Sequence, residues 1–148
     1  MRIPSRLLVR IAAVIAIFVA PPAHSDTLDS EEAASKLVEQ VMAKVGAGDL
    51  EGGLLLAKPY LLMPEAEVNA IIEQAKLQQP LLQARFGKPL GAEFVADKTL
   101  GRSLYGILYL QKFEKHAMRW RFVFYRASGK WMLDAISFDD KIQLLFGE

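Results

Sequence analysis

The chain has 148 residues, of which 52% are hydrophobic and 24% are charged, and none is cysteine. This length suits one domain, and 18 basic against 17 acidic residues do not form the basic excess typical of nucleic-acid-binding proteins. The lack of cysteine excludes disulfides, thiolate metal sites and a cysteine nucleophile, and two histidines are too few for a multi-histidine metal site.

Residues 1–25 have the layout of a secretory signal peptide. Three arginines in the first ten residues precede ten uninterrupted apolar residues, 11–20, and two prolines then break any helix. Ala23 and Ser25 then supply small residues at the −3 and −1 positions, as a cleavage site before Asp26 requires. The alternative is an uncleaved membrane anchor, but a spanning helix needs about 20 apolar residues. We expect cleavage near Ser25, a single mature domain over residues 26–148, and a periplasmic or secreted location.

Cleavage would also change the charge of the protein. It removes three basic residues and no acidic one, so 15 basic residues would remain against 17 acidic ones, a net charge of −2. Electrostatic attraction to nucleic acid or to anionic lipid then has no support. We expect no nucleic-acid partner and, once the signal is gone, no membrane span.

The mature chain is predicted to begin with a helix. Asp29 or Ser30 can cap its first turn, where two glutamates complement the helix dipole. Apolar residues then recur every three or four positions through residues 34–45, which is the period of an amphipathic helix. The glycines and aspartate of residues 46–49 end it.

Two further helical stretches complete the N-terminal half. Residues 54–62 are apolar but contain a proline, so at most one or two helical turns are expected there. A third helix is predicted to start at Pro64, because proline is tolerated in the first turn. Pro80 should kink or divide this helix, since it removes one backbone hydrogen bond, and residues 87–89 close the helical half.

The hydrophobic period then changes to two, which predicts strands at residues 92–100, 103–114, 117–126 and 130–138. A short apolar tail follows at residues 141–146. Helices followed by a meander of strands predict an α+β fold, with the helices packed on one face of a curved four-stranded antiparallel sheet.

Two-residue hairpin loops at residues 115–116 and 128–129 would set the register. Gln111 would then face Trp120, and Phe122 would face Tyr109 on one side and Ala135 on the other. The inner face, against the helices, would carry Tyr105, Ile107, Tyr109, Phe113, Met118, Trp120, Phe122, Phe124 and Leu133. The outer face would carry Leu108, Leu110, Lys112, Arg119, Arg121, Val123, Tyr125, Met132, Asp134, Ile136 and Phe138.

Three helical segments before an aromatic antiparallel meander, whose last strand reads KWMLDAISF, resemble the nuclear-transport-factor-2-like superfamily. Within this superfamily, the element order and the composition of the strands most resemble those of small exported bacterial proteins. The resemblance implies a cone between sheet and helices that often holds a small apolar molecule, and an outer sheet face that often forms dimers. The side chains that would line such a cone are Tyr105, Tyr109, Gln111, Trp120 and Phe122.

The same superfamily includes ketosteroid isomerases and polyketide cyclases, so an enzyme of that type is the alternative. Such a site needs a carboxylate base inside the cone and a hydrogen-bond donor for an oxyanion. Tyr105 and Tyr109 could donate, but the predicted inner face has no Asp or Glu, and Asp134 falls on the outer face. His116 lies in a turn, where a lone histidine is usually solvated. We therefore predict no catalytic residue, no metal and no cofactor.

The outer face is more apolar than a fully solvated sheet face. It should pack on a second subunit or be covered by the C-terminal tail, although scattered exposed apolar residues are also ordinary. The interface candidates are Leu108, Leu110, Arg119, Arg121, Val123, Asp134 and Ile136, with Arg121 and Asp134 close enough to pair. The expected function is that of an exported binding or accessory protein, which holds a small apolar ligand or a protein partner. We expect it to form a homodimer through the outer face of the sheet.

Overall fold

The computed structural model describes residues 25–147, so the predicted signal peptide lies outside the described residues except for Ser25. Its elements are α1 (Glu31–Gly46), α2 (Leu50–Ala57), a 3₁₀ turn (Lys58–Tyr60), α3 (Glu65–Phe86), β1 (Pro89–Leu100), β2 (Leu104–Phe113), β3 (Ala117–Arg126), β4 (Trp131–Asp139) and a C-terminal 3₁₀ helix (Ile142–Phe146). The strands form one antiparallel sheet in the order β1-β2-β3-β4. The predicted α+β fold is confirmed.

The first helix begins and ends as its sequence predicts. Ser30 is the N-cap, and its hydroxyl accepts a hydrogen bond from the Ala33 amide at 3.0 Å. Its apolar stripe is buried against the sheet and α2, with Val38 and Val41 in the core.

Within residues 25–147 no helix is long and apolar enough to span a bilayer.

The third helix runs without a break from Glu65 to Phe86, so of the predicted kink or division at Pro80 the division is wrong. Pro80 is exposed, and the backbone hydrogen bond that it cannot donate does not end the helix. Buried side chains on both sides of the proline, among them Ile72, Ala75 and Phe86, hold the two parts of the helix against the rest of the domain.

Gly46 lets the end of α1 approach β1 closely. A Cβ atom at this position would lie 2.5 Å from the Ala92 amide nitrogen and 2.6 Å from the Gly91 carbonyl carbon. Both are backbone atoms, which cannot move aside as a flexible side chain can. The glycine therefore fixes how near α1 lies to the first strand of the sheet.

The β2–β3 register differs from the predicted one by two residues. Gln111 pairs with Met118, Tyr109 with Trp120 and Ile107 with Phe122. The tight turn is centred one residue earlier than expected, because the amides of residues 114 and 115 donate to the carbonyls of residues 88 and 86. A shift of two residues keeps every side chain on its predicted face.

The β3–β4 register follows the prediction only as far as Phe124, which pairs with Leu133. A β-bulge at Asp134 then adds one residue to β4, so that Phe122 pairs with Ile136 and Trp120 with Phe138. The bulge reverses the faces of the rest of the strand. The predicted outer positions of Ile136 and Phe138 are therefore wrong, and both side chains pack against the core.

Candidate functional site

The inner face of the sheet is filled by its own side chains. Trp120 is fully buried, and its indole stacks on Phe138 with ring centroids 4.3 Å apart. Its Nε1 donates to the Gln111 side-chain oxygen at 3.1 Å, and the Gln111 amide nitrogen donates to the Val45 carbonyl at 3.0 Å. Of the predicted cone-lining residues, these two and Phe122 are thus engaged in packing and in an internal hydrogen-bond bridge from sheet to α1.

Tyr105 and Asp97 form a polar pair where the inner face meets solvent. The Tyr105 hydroxyl donates to the Asp97 carboxylate at 2.7 Å, and burial of the ring together with this carboxylate raises the pKa of Tyr105 to about 12. Asp97 is therefore an inner-facing carboxylate, whereas the sequence predicted none on this face. An oxyanion site needs a donor aimed at the substrate, whereas this donor is occupied by the carboxylate itself.

Tyr109 lies at the opposite rim, beside α1 and β1. Its ring meets Phe94 edge to face at 5.6 Å. Burial raises the pKa of the Tyr109 hydroxyl, and the nearby Glu39 charge adds to this. A surface groove of about 300 Å³ runs here, lined by Glu39, Met42, Ala43, Ala92, Phe94 and Tyr109.

An apolar groove opens between α3 and β4. Its mouth, of about 330 Å³, lies beside Lys58 and Glu65, which form a salt bridge at 2.8 Å that lowers the pKa of Glu65. Its inner end, of about 30 Å³, is lined by Leu54, Leu61, Met63, Val68, Ile71, Ile72, Ile136 and Phe138. This groove is not predictable from the sequence, because the bulge at Asp134, which turns Ile136 and Phe138 inward, leaves no pattern in the sequence.

The outer face carries a shallow apolar depression of about 240 Å³ around Gly106, which has no side chain to fill it. Leu108 and Val123 flank it and are partly buried, and Arg121 closes one side. Leu110 lies further along β2 on the same face, also partly buried. The structure thus brings together most of the predicted interface candidates, with Ile136 excluded by the bulge and Asp134 exposed on it.

Two of the interface candidates, Arg119 and Arg121, lie next to Asp139. Arg119 is buried and binds Asp139 through two hydrogen bonds, one of them from Nη2 to Oδ2 at 2.9 Å. Arg119 in turn holds the pKa of Asp139 below its usual range. Arg121 does not pair with Asp134, since its Nη2 lies 3.5 Å from the Asp139 carboxylate. The C-terminal 3₁₀ helix contacts β3, the strand that also carries Arg119, Arg121 and Val123 of the outer face.

His116 is not the solvated turn residue that the sequence suggests. It is half-buried, its ring lies 4.8 Å from that of Phe86, and its Nε2 is 3.0 Å from the Asp140 carbonyl. Among residues 25–147, no group of three or more histidine and acidic side chains could hold a metal ion.

Comparison with known proteins assigns no family to the chain: it matches no protein-family model, no curated protein and no solved structure.

Proposed function

We propose that this protein is an exported binding module of the nuclear-transport-factor-2-like type, which associates with a second copy through the outer face of its sheet. The observation that carries the proposal is the apolar depression around Gly106, flanked by Leu108 and Val123. The inner face, in contrast, is occupied by its own side chains, including fully buried Trp120. The outside of the sheet therefore offers the surface for contact.

The charges of the outer face suit a contact between identical surfaces. Arg121 and Lys98 border the depression, while Glu93, which pairs with Lys112, lies further along the same face of β1. A twofold contact brings each patch against its own copy, so a face with both signs can match itself. An apolar patch rimmed by polar residues is a common mark of a protein–protein contact.

Replacing Val123 by glutamate should dissociate the dimer. Each copy would bring a carboxylate into the apolar depression at the centre of the contact, where burying a charge is costly. Sedimentation of wild type and variant over a range of concentrations measures this directly. Asn69→Glu, on exposed α3, adds the same charge away from the sheet and should leave the dimer intact. A wild-type protein that stays monomeric at the highest concentration would refute the proposal.

The groove between α3 and β4 supports a second candidate function, the binding of a small apolar molecule. Leu54, Ile72 and Phe138 line its apolar inner end of about 30 Å³, and the volume of its mouth, about 330 Å³, is in the range of small-molecule pockets. Native mass spectrometry of protein purified from its own cells tests both candidate functions in one experiment. A species of twice the monomer mass supports the dimer. A small molecule that stays bound to wild type and is lost from Ile136→Trp supports ligand binding.

The enzymatic alternative remains one of ketosteroid-isomerase or polyketide-cyclase type. Asp97 and Tyr105 supply a carboxylate and a donor, but they are bonded to each other at the rim. The proposal therefore assigns them a structural role.

Export is the remaining part of the proposal, and it rests on the arginines, the apolar run and the small residues before the predicted cut. N-terminal sequencing of protein recovered from the periplasm or medium should begin at Asp26 or within a few residues of it. Recovery of a chain that retains Met1 in the membrane fraction would contradict this.

A further inference from the structure

The two edge strands of the sheet, β1 and β4, differ in the backbone hydrogen bonds that they make outside the sheet. The start of β4 is covered at its edge: Leu28 and Trp131 exchange two backbone hydrogen bonds of 2.8 Å, and the Leu62 amide donates to the Leu133 carbonyl at 2.9 Å. Along β1, residues 93–100 are all exposed. Within the described chain, the backbone of β1 is hydrogen-bonded only to β2. Apart from the register shift between Phe94 and Ala96, the outer edge of β1 therefore keeps free donors and acceptors for another strand.

The groove of Glu39, Phe94 and Tyr109 lies beside this edge, on the side of α1. Phe94 is 48% exposed although it packs edge to face on Tyr109. Glu39 is exposed and makes no salt bridge with any residue in 25–147. Two aromatic rings next to a carboxylate form a site that suits an organic cation, through charge attraction and cation–π contact.

We propose that the β1 edge binds an extended segment of another protein, which adds a strand to the sheet and places a lysine or arginine side chain in this groove. Side chains alternate along a strand, so every second residue of the added segment would face α1. Main-chain hydrogen bonds to β1 would supply affinity for the segment. The lysine or arginine that it places between Glu39, Phe94 and Tyr109 would make the binding specific for a segment with a basic side chain at that position.

A second copy of this chain fits the groove less well than a foreign segment. In a twofold pairing of two β1 edges, each strand keeps its inner face on the inner side. The inner-facing residues of β1 are Ala92, Phe94, Asp97 and Thr99, because their partners on β2 face the core. None of these is basic, and Asp97 would bring a second negative charge toward Glu39. The basic residue of this strand, Lys98, pairs with Gly106 on the outer face.

The probe for this site is a blocked heptapeptide, acetyl-TVTKTVT-amide, which places its lysine and both valines on one face of a strand. A matched peptide carries glutamine in place of the lysine. Titration followed by NMR should shift the amides of residues 93–100 and slow their hydrogen exchange. At low salt the lysine peptide should bind about tenfold more tightly than the glutamine peptide, as expected for a cation held by a carboxylate and two rings.

Two further comparisons test the geometry and the charge. A peptide that adds to a strand edge presents only alternate amides to it, so N-methylation of one alternating set should abolish binding while methylation of the other set should not. Glu39→Gln should remove the lysine preference, and Glu67→Gln, an equal charge change on α3, should keep it. Equal binding of both peptides to wild type, equal effects of both methylated sets, or shifts confined to other strands would overturn the proposal.

Discussion

Replacing Phe122 by alanine should lower the free energy of unfolding by about 3–5 kcal/mol, the usual cost of removing a fully buried phenylalanine. Phe122 is 1% exposed and lies in β3 between Ile107 of β2 and Ile136 of β4. Its ring also stacks against Trp120, with centroids 6.3 Å apart. Because side chains surround it on both neighbouring strands, the cavity left by alanine cannot close without moving the sheet.

The matched control is Phe146→Ala in the C-terminal 3₁₀ helix, where the phenylalanine is 89% exposed. The same atoms are removed, but little buried surface is lost, so the change should stay within about 0.5 kcal/mol. Urea unfolding of wild type and both variants measures the two effects on one scale. A loss below about 1 kcal/mol for Phe122→Ala would show that β3 is not central to the core.

The helices and the order of the strands are predictable because their signals are local. The Ser30 cap, the three-and-four spacing of α1 and the alternation in β2 and β3 each depend on residues close together in the chain. They also agree with one another, since every inner-facing residue predicted on β2 and β3 is buried. Local agreement of this kind gives the fold class without any knowledge of long-range contacts.

The features that were not predictable depend on contacts between distant residues. The β2–β3 turn is centred at residues 114–115 because residues 86 and 88, at the end of α3 and beyond it, accept its amide protons. The bulge at Asp134 moves Phe138 inward, where it stacks on Trp120. A strand pattern of period two cannot show an extra residue that the ladder absorbs.

The same limit applies to the candidate sites. The outer-face residues Leu108 and Val123 could be found from alternation alone, and the structure places both beside the Gly106 depression. The Glu39 groove could not, because it joins α1 to β1, and α1 carries no sequence signal for its neighbour. Asp97 was missed for a related reason: pairing β1 with β2 is needed to see that it faces inward.

Replacing Gln111 by leucine should lower the free energy of unfolding by about 1–2 kcal/mol, although leucine is of similar size and more hydrophobic. The glutamine is buried and bridges the Trp120 indole and the Val45 carbonyl. Its loss leaves the buried indole donor without a partner, whereas the Val45 carbonyl keeps the bond that it accepts from the Gly48 amide at 3.0 Å. An unpaired buried donor costs about 1–3 kcal/mol, and the added apolar contact of leucine offsets part of this cost.

This substitution separates a structural Gln111 from one that lines a ligand site. If Gln111 instead lined an open cone and served to bind a ligand, its replacement by leucine would hardly change the stability of the unliganded protein. Water in the cone would then form hydrogen bonds with the Trp120 indole and the Val45 carbonyl in place of the glutamine. Gln74→Leu on the exposed side of α3 makes the same chemical change without a buried partner, and should alter stability by less than about 0.5 kcal/mol. Equal unfolding midpoints in urea for the two variants would mean that the bridge from β2 to α1 does not stabilise the domain, and that the inner face is open to water.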